Sequence, residues 1–174
     1  MKAGLAATTI VTRMAISASL PVVWQSLMFY EQIEERPPLL LRLLLPRPIR
    51  TQGSKSAVGD EATCLYEGGH LLKRVTQIDK YRLYAFSVTE QRLSLGRHVV
   101  VTGGCYALRE LPGERPELAV TTRYLSQNRP RWLAKPIEAF VCHMFHRHLL
   151  AAIRRKSHLS SPPLQGRHGF DGPQ

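Results

Sequence analysis

The sequence feature that most constrains the fold is a series of short strand-like segments between residues 60 and 125. Glycine pairs, polar residues and a Pro-Gly pair punctuate this region. They divide it into five candidate strands: residues 60–66, 70–79, 80–90, 98–108 and 117–125. Two consecutive strands can be parallel only if a long crossover joins them, and these connections are short. The region therefore predicts an antiparallel meander.

Other regular elements are predicted on both sides of this meander. Residues 8–16 alternate around β-branched side chains and predict a first strand, and the apolar spacing of residues 21–33 predicts a short helix after it. Residues 137–156 repeat apolar side chains on one face and predict a C-terminal helix about 30 Å long, with Pro136 in its first turn. The sequence thus predicts an α+β chain in which the first strand adds to one edge of the sheet.

The segment of residues 34–57 does not fit either pattern. Five residues in it exclude a long helix: Pro37, Pro38, Pro46, Pro48 and Gly53. The leucine-rich residues 39–45 between them nevertheless favour burial. We expect a helical turn or a lid over an apolar space, and a buried core turn is the other interpretation.

Composition and charge restrict the class of partner. The chain has 174 residues, 44% hydrophobic and 21% charged, which are typical of one globular domain. Its net charge of +11 favours an acidic partner. Five cations lie around the leucine-rich segment: Arg36, Arg42, Arg47, Arg50 and Lys55. They suit an acidic ligand or contact with an anionic membrane surface, whereas the lack of an RNP1 or GXXG motif argues against nucleic acid.

The cysteines and the chain termini bear on location. Cys64, Cys105 and Cys142 show no CxxC spacing, and an odd number leaves at least one thiol unpaired, which favours a reducing, cytoplasmic compartment. The apolar N-terminal run is interrupted by threonines and Arg13 and is a poor signal peptide, and no apolar run approaches the ~20 residues that span a bilayer. The Pro-, Gly- and Ser-rich residues 157–174 predict a disordered tail.

The opening sequence resembles a known superfamily. Residues 14–24, Met-Ala-Ile-Ser-Ala-Ser-Leu-Pro-Val-Val-Trp, are similar to the strand-then-ASPEEVW entry of START/Bet v 1-like (SRPBCC) proteins, the polyketide cyclase and lipid-transport group. Gly59 at the entry to the meander and the long C-terminal helix agree with that layout. The resemblance covers residues 8–156. It implies a helix-grip fold, in which a curved antiparallel sheet wraps around a long C-terminal helix and short helices follow strand 1.

That resemblance implies a cavity between the sheet and the C-terminal helix. We predict that the cavity binds or transports a hydrophobic, lipid- or polyketide-like molecule, and an acidic group on the ligand would suit the positive charge. A cyclase- or dehydratase-type enzyme using the same cavity is one alternative, and a basic adaptor that docks on a membrane or a protein is another. The predicted lining residues are Tyr84, Phe86, Val88, Tyr106, Tyr124, Leu41, Leu44, Phe140 and Met144. Filling of the core is the other interpretation of the aromatic residues.

No local catalytic motif is present, so candidate catalytic residues come from scattered polar positions. His143 near the middle of the C-terminal helix is a candidate acid or base, and Arg123, Arg74 and Glu90 on strands are further candidates. Cys142 and His146 share a helix face with metal-ligand spacing. Two ligands do not make a site, and we therefore predict neither a metal nor a cofactor.

Overall fold

A computed structural model describes most of the chain. The described residues are 6–28, 39, 45–46, 48–93, 98–111 and 115–160. The strands among them are β1 (Ala6–Ala15), β2 (Pro48–Gly53), β3 (Glu61–Tyr66), β4 (Gly69–Asp79), β5 (Leu83–Arg92), β6 (Val99–Glu110) and β7 (Pro116–Ser126). Helix α1 spans Leu20–Met28 and helix α2 spans Arg131–Leu159.

The strands form one antiparallel sheet in the order β1-β7-β6-β5-β4-β3-β2. The first strand adds to the end of the meander as predicted, with Met14 opposite Leu118 on β7. The curved sheet stays open, so β1 and β2 are its edges. The predicted meander and the α+β helix-grip fold are confirmed.

Strand β2 corrects the prediction of a turn or lid across the whole of residues 34–57. Pro48 is tolerated because it opens an edge strand, where a missing backbone N–H is least costly. Gly53 ends the strand with a φ of 105°, and a side chain there would place its Cβ 2.3 Å from the carbonyl oxygen of Glu61. Leu41 and Leu44 lie outside the described residues, and Leu39 is 79% exposed.

Helix α2 begins earlier than predicted. The carbonyl oxygen of Pro130 accepts hydrogen bonds from the backbone N–H groups of Leu133 and Ala134, at 3.2 and 3.0 Å, so Pro130 is the N-cap. Pro136, predicted to lie in the first turn, lies inside the helix instead. The helix tolerates it near its start, at the loss of the hydrogen bond that residue 136 would donate to Trp132. At its other end α2 continues to Leu159, so residues 157–159 belong to the helix and not to the predicted tail, while residues 161–174 lie outside the described residues.

The main core lies where α1 and the C-terminal half of α2 cover one face of the sheet. Helix α2 packs against β1, β7 and α1. Leu150 and Ile153 of α2 are completely buried with Val23 of α1 and Leu118 of β7. Burial of each of these side chains contributes on the order of 1.5–3 kcal/mol. The N-terminal half of α2 meets the same sheet through polar groups.

Two further observations concern membranes and thiols. Across the residues that the structure describes, neither helix is long and apolar enough to cross a bilayer. Cys64, Cys105 and Cys142 are free thiols. The cytoplasmic location stays a prediction.

Candidate functional site

A buried histidine lies where α2 meets β1 and β7. His146 is completely buried, and both of its ring nitrogens contact threonine hydroxyls. Its Nδ1 lies 2.9 Å from Thr12 Oγ1 on β1, and its Nε2 lies 2.8 Å from Thr122 Oγ1 on β7. Thr12 Oγ1 is also 2.8 Å from Nδ1 of His143, one helical turn away from His146. Thr122, His146, Thr12 and His143 thus form a continuous series of contacts, which we call the His146 chain.

The hydrogen atoms in the His146 chain can be arranged in two ways. A neutral imidazole has one donor and one acceptor nitrogen, and a hydroxyl donates once. In one arrangement Thr122 donates to His146, His146 donates to Thr12, and Thr12 donates to His143. In the other, every donor and acceptor is reversed. Both arrangements satisfy all four groups, so the His146 chain is fully hydrogen-bonded with either tautomer of His146.

Burial sets the charge of the groups in this region. It lowers the pKa of His146 to about 4, with a smaller contribution from nearby His143, so His146 is neutral at pH 7. Cys142 Sγ lies 3.5 Å from His146 Nε2, and burial raises the pKa of its thiol to about 11. Cys142 is therefore a neutral thiol and a poor nucleophile.

A second polar cluster lies closer to the start of α2, around Glu138. Its Oε1 accepts hydrogen bonds from Ser126 Oγ at 2.5 Å and Asn128 Nδ2 at 2.9 Å, and its Oε2 lies 3.1 Å from Arg131 Nη1. Burial alone would raise the pKa of Glu138, but these hydrogen bonds outweigh it and lower the pKa. Glu138 is therefore held as a carboxylate.

Tyr124 on β7 has a buried hydroxyl that makes no hydrogen bond to the described residues. Burial raises its pKa to about 12, and the negative charge of Glu138 contributes to the rise. The hydroxyl is therefore neutral and has a proton to donate. Glu138 and Thr8 are the polar side chains that act on this hydroxyl.

A small cavity lies further across the sheet. It measures about 10 Å³ and is lined by Lys55, Ala62, Lys73, Val75, Tyr84, Phe86 and Tyr106. The ring of Tyr106 lies 6.2 Å from those of both Tyr84 and Phe86, measured between centroids. Lys73 Nζ lies 4.9 Å from the centroid of Phe86, a cation–π distance. The cavity has space for about one water molecule, so its lining side chains are packed together.

The structure brings together some of the predicted ligand residues and separates others. Tyr84, Phe86 and Tyr106 share this cavity. Val88 packs instead against a second apolar cluster of Cys64, Leu71 and Leu93. Tyr124 lies beside Glu138, while Met144 is half-buried and Phe140 is 57% exposed.

The catalytic candidates are not brought together. His143 joins the His146 chain, but Arg123 is exposed and alternates with Thr122 and Tyr124, so it lies on the opposite face of β7. Two other candidates are in exposed ion pairs, Arg74 with Glu61 and Glu90 with Arg92. Within the described ranges, no three His, Cys, Asp or Glu side chains are grouped so as to hold a metal ion.

Sequence reasoning missed Lys73 in the small cavity, the hydrogen bonds of Thr12, Thr122 and His146, and the whole cluster around Glu138. Lys73 shares a sheet face with Val75, and the period of two could have identified it. Nothing in the local sequence connects the two threonines with α2.

Comparison with known proteins identifies the fold. No protein-family model matches the sequence, and no curated protein matches it significantly. Many solved structures are similar in fold, however, and three of them illustrate the range. The Zhui aromatase/cyclase from Streptomyces sp. R1128 has a TM-score of 0.59 and 14% identity, covering 87% of this chain and 94% of that one. A START superfamily protein from Mycobacterium smegmatis has a TM-score of 0.60 and 11% identity, covering 88% and 99%.

The third structure is norcoclaurine synthase from Thalictrum flavum in complex with dopamine and hydroxybenzaldehyde. Its TM-score is 0.62 at 12% identity, covering 91% of this chain and 90% of that one. At these identities the comparisons establish the fold. They agree with the helix-grip architecture that the opening sequence predicted.

Proposed function

We propose that this chain, which has the START/Bet v 1-like fold, binds an apolar small molecule with an acidic group against the face of its sheet that α1 and α2 cover. The observation that carries the proposal is the lining of the small cavity. Three aromatic rings supply apolar surface, and Lys55 and Lys73 supply positive charge at the same place. Apolar walls with a few placed polar groups are typical of small-molecule sites. The structure of norcoclaurine synthase with dopamine and hydroxybenzaldehyde supports an aromatic ligand.

Binding requires the cavity to open. At about 10 Å³ it is far below the roughly 300–1,000 Å³ of common ligand sites. Tyr84 and Phe86 must therefore change rotamer or move apart to admit a ligand.

Native mass spectrometry of freshly purified protein tests the proposal, and we expect a co-purified adduct that denaturation releases.

Dye binding tests whether Lys73 contacts an anionic group on the ligand. Anilinonaphthalene sulfonate and uncharged N-phenylnaphthylamine share an aromatic scaffold and differ in the anionic group. We expect Lys73→Met to raise the Kd of the sulfonate about tenfold, because a charge-assisted contact contributes roughly 1.5–3 kcal/mol, and to leave the uncharged dye within about twofold.

Lys80→Met is the matched control, since it removes the same charge from an exposed turn next to Tyr81. It should change neither affinity. An equal loss of both dyes in Lys73→Met would reduce Lys73 to a packing role. Unchanged binding of both dyes would place the site elsewhere.

The His146 chain favours one alternative, an enzyme of cyclase or dehydratase type in which His143 is the acid or base. Thr12 contacts Nδ1 of His143 and thereby holds the orientation of its ring, which leaves Nε2 to exchange a proton with a substrate. If the parent converts its co-purified ligand, we expect His143→Leu to lower turnover by roughly 10²- to 10⁴-fold and ligand affinity by only a few-fold. If the unsubstituted protein leaves this ligand unchanged, the enzyme hypothesis is contradicted.

A further inference from the structure

We propose that the first half of α2 is a docking surface for an anionic lipid bilayer, which goes beyond ligand binding. Four large apolar side chains are exposed there: Trp132 by 78%, Leu133 by 48%, Ile137 by 55% and Phe140 by 57%. We call these four residues the α2 apolar surface. Soluble chains seldom expose such a group of neighbouring large apolar residues without an interaction to serve.

Helical geometry explains why these residues lie together. Leu133, Ile137 and Phe140 are separated by four and three positions and so form one stripe, with Trp132 beside it. The opposite side of the same turns carries Glu138, Cys142 and His146, which contact β1 and β7. The first half of α2 therefore uses its polar side for packing and presents its apolar side outward, the reverse of an ordinary surface helix.

The charges around the α2 apolar surface are positive. Arg129 lines an open groove of about 300 Å³ together with Leu133 and Ile137. Arg147 is exposed and continues the same stripe, seven positions after Phe140. Glu138 is the single acidic residue in the sequence of α2, and it is turned inward with only 10% of its side chain exposed, paired with Arg131. Glu138 also lines the groove, but its ion pair with Arg131 compensates its charge.

This combination fits an anionic bilayer better than a second copy of the chain. Pairing two such surfaces would bring their cations together, in a protein whose net charge is already +11. An anionic bilayer accepts both components: Trp and Phe at the headgroup level, and each Lys or Arg near the lipid charge. An exposed Trp at the edge of such a stripe is typical of interfacial helices.

Tryptophan fluorescence tests the proposal directly. The chain has two tryptophans, and Trp24 is buried in the core, so the emission of Trp132 reports on the surface. With the full chain we expect a blue shift on adding phosphatidylcholine vesicles that contain phosphatidylglycerol, but not on adding pure phosphatidylcholine vesicles. Vesicle sedimentation should show that Phe140→Ser and Arg147→Glu each weaken binding, the first by about tenfold or more.

Two matched controls distinguish binding through the α2 apolar surface from nonspecific binding through any exposed apolar residue or any cation. Leu159→Ser removes an apolar residue that is 88% exposed at the far end of α2, and Lys80→Glu reverses an exposed charge on the sheet. Neither should change vesicle binding, and Lys73→Met should not either, so failure here is distinct from failure of the proposed ligand site.

Three results would overturn the proposal. One is equal binding to both kinds of vesicle, and another is an equal loss in Phe140→Ser and Leu159→Ser. The third is a blue shift without vesicles that grows with protein concentration and accompanies dimers in analytical ultracentrifugation. That result would assign the surface to a second copy of the chain.

Discussion

The chain is expected to lose about 3 kcal/mol of stability as the pH falls from 6.5 to about 4, because His146 is buried in its neutral form. In the unfolded chain this imidazole takes up a proton near its ordinary pKa of 6.5, whereas in the fold it does so only near 4. The unfolded state therefore binds more protons between these values, and stability rises with pH. The contribution of neutral His146 to the free energy of unfolding is complete above pH 6.5 and is lost as the pH falls towards 4.

Urea unfolding at several pH values across this window measures the effect. His146→Gln cannot titrate, so we expect it to be less stable than the parent at neutral pH and the difference to shrink as the pH falls. Glu138, Glu90 and Asp60 also have lowered pKa values and lose their contributions in acid, which is why parent and variant are compared at each pH. His98→Gln, at an exposed position, is the control and should keep the parent's slope. The same slope in His146→Gln would mean that His146 is not held neutral by the fold.

The parts of the fold that could be predicted are those set by residues close together in the sequence. The meander was predictable because each turn is encoded next to the strands that it joins. Strand β2 was not, because its pairing with β3 depends on a partner and overrides a sequence rich in proline. The start of α2 was misplaced because Pro130 and Pro136 both fit a helix start locally, and only the packing of Arg131 against Glu138 distinguishes them.

In the candidate site, too, local contacts could be predicted and contacts between distant residues could not. Tyr84 and Phe86 were predictable as neighbours because the period of two acts within one strand. Lys73 shares a sheet face with Val75 by the same period of two, but it was missed because a charged side chain is not expected on the covered face of a sheet. The His146 chain joins Thr12 to a histidine 134 positions later, and no spacing rule covers that distance. Phe140 shows the opposite error, since an apolar helix position was interpreted as lining and the structure exposes it.

Removing the carboxylate of Glu138 is expected to destabilise the chain by about 3 kcal/mol, because it leaves a largely buried Arg131 without its partner. The side chains are 10% and 21% exposed, so water screens the remaining charge poorly. Glu138→Leu also leaves Ser126 and Asn128 without their acceptor. Urea unfolding at neutral pH measures the loss. Glu138→Gln should destabilise the chain less, since its amide oxygen still accepts from these donors.

The double variant Arg131→Met/Glu138→Leu separates a lost ion pair from an unpaired charge. With both charges removed, we expect it to be more stable than Glu138→Leu alone, because no buried cation is left without a partner. Glu61→Leu is the control, since its ion pair with Arg74 is largely exposed and should contribute less than about 1 kcal/mol. If Glu138→Leu were no more damaging than Glu61→Leu, the start of α2 would not be anchored to β7 through Glu138. The orientation of the α2 apolar surface would then lose its structural basis, because this anchor holds the polar side of the helix towards the sheet.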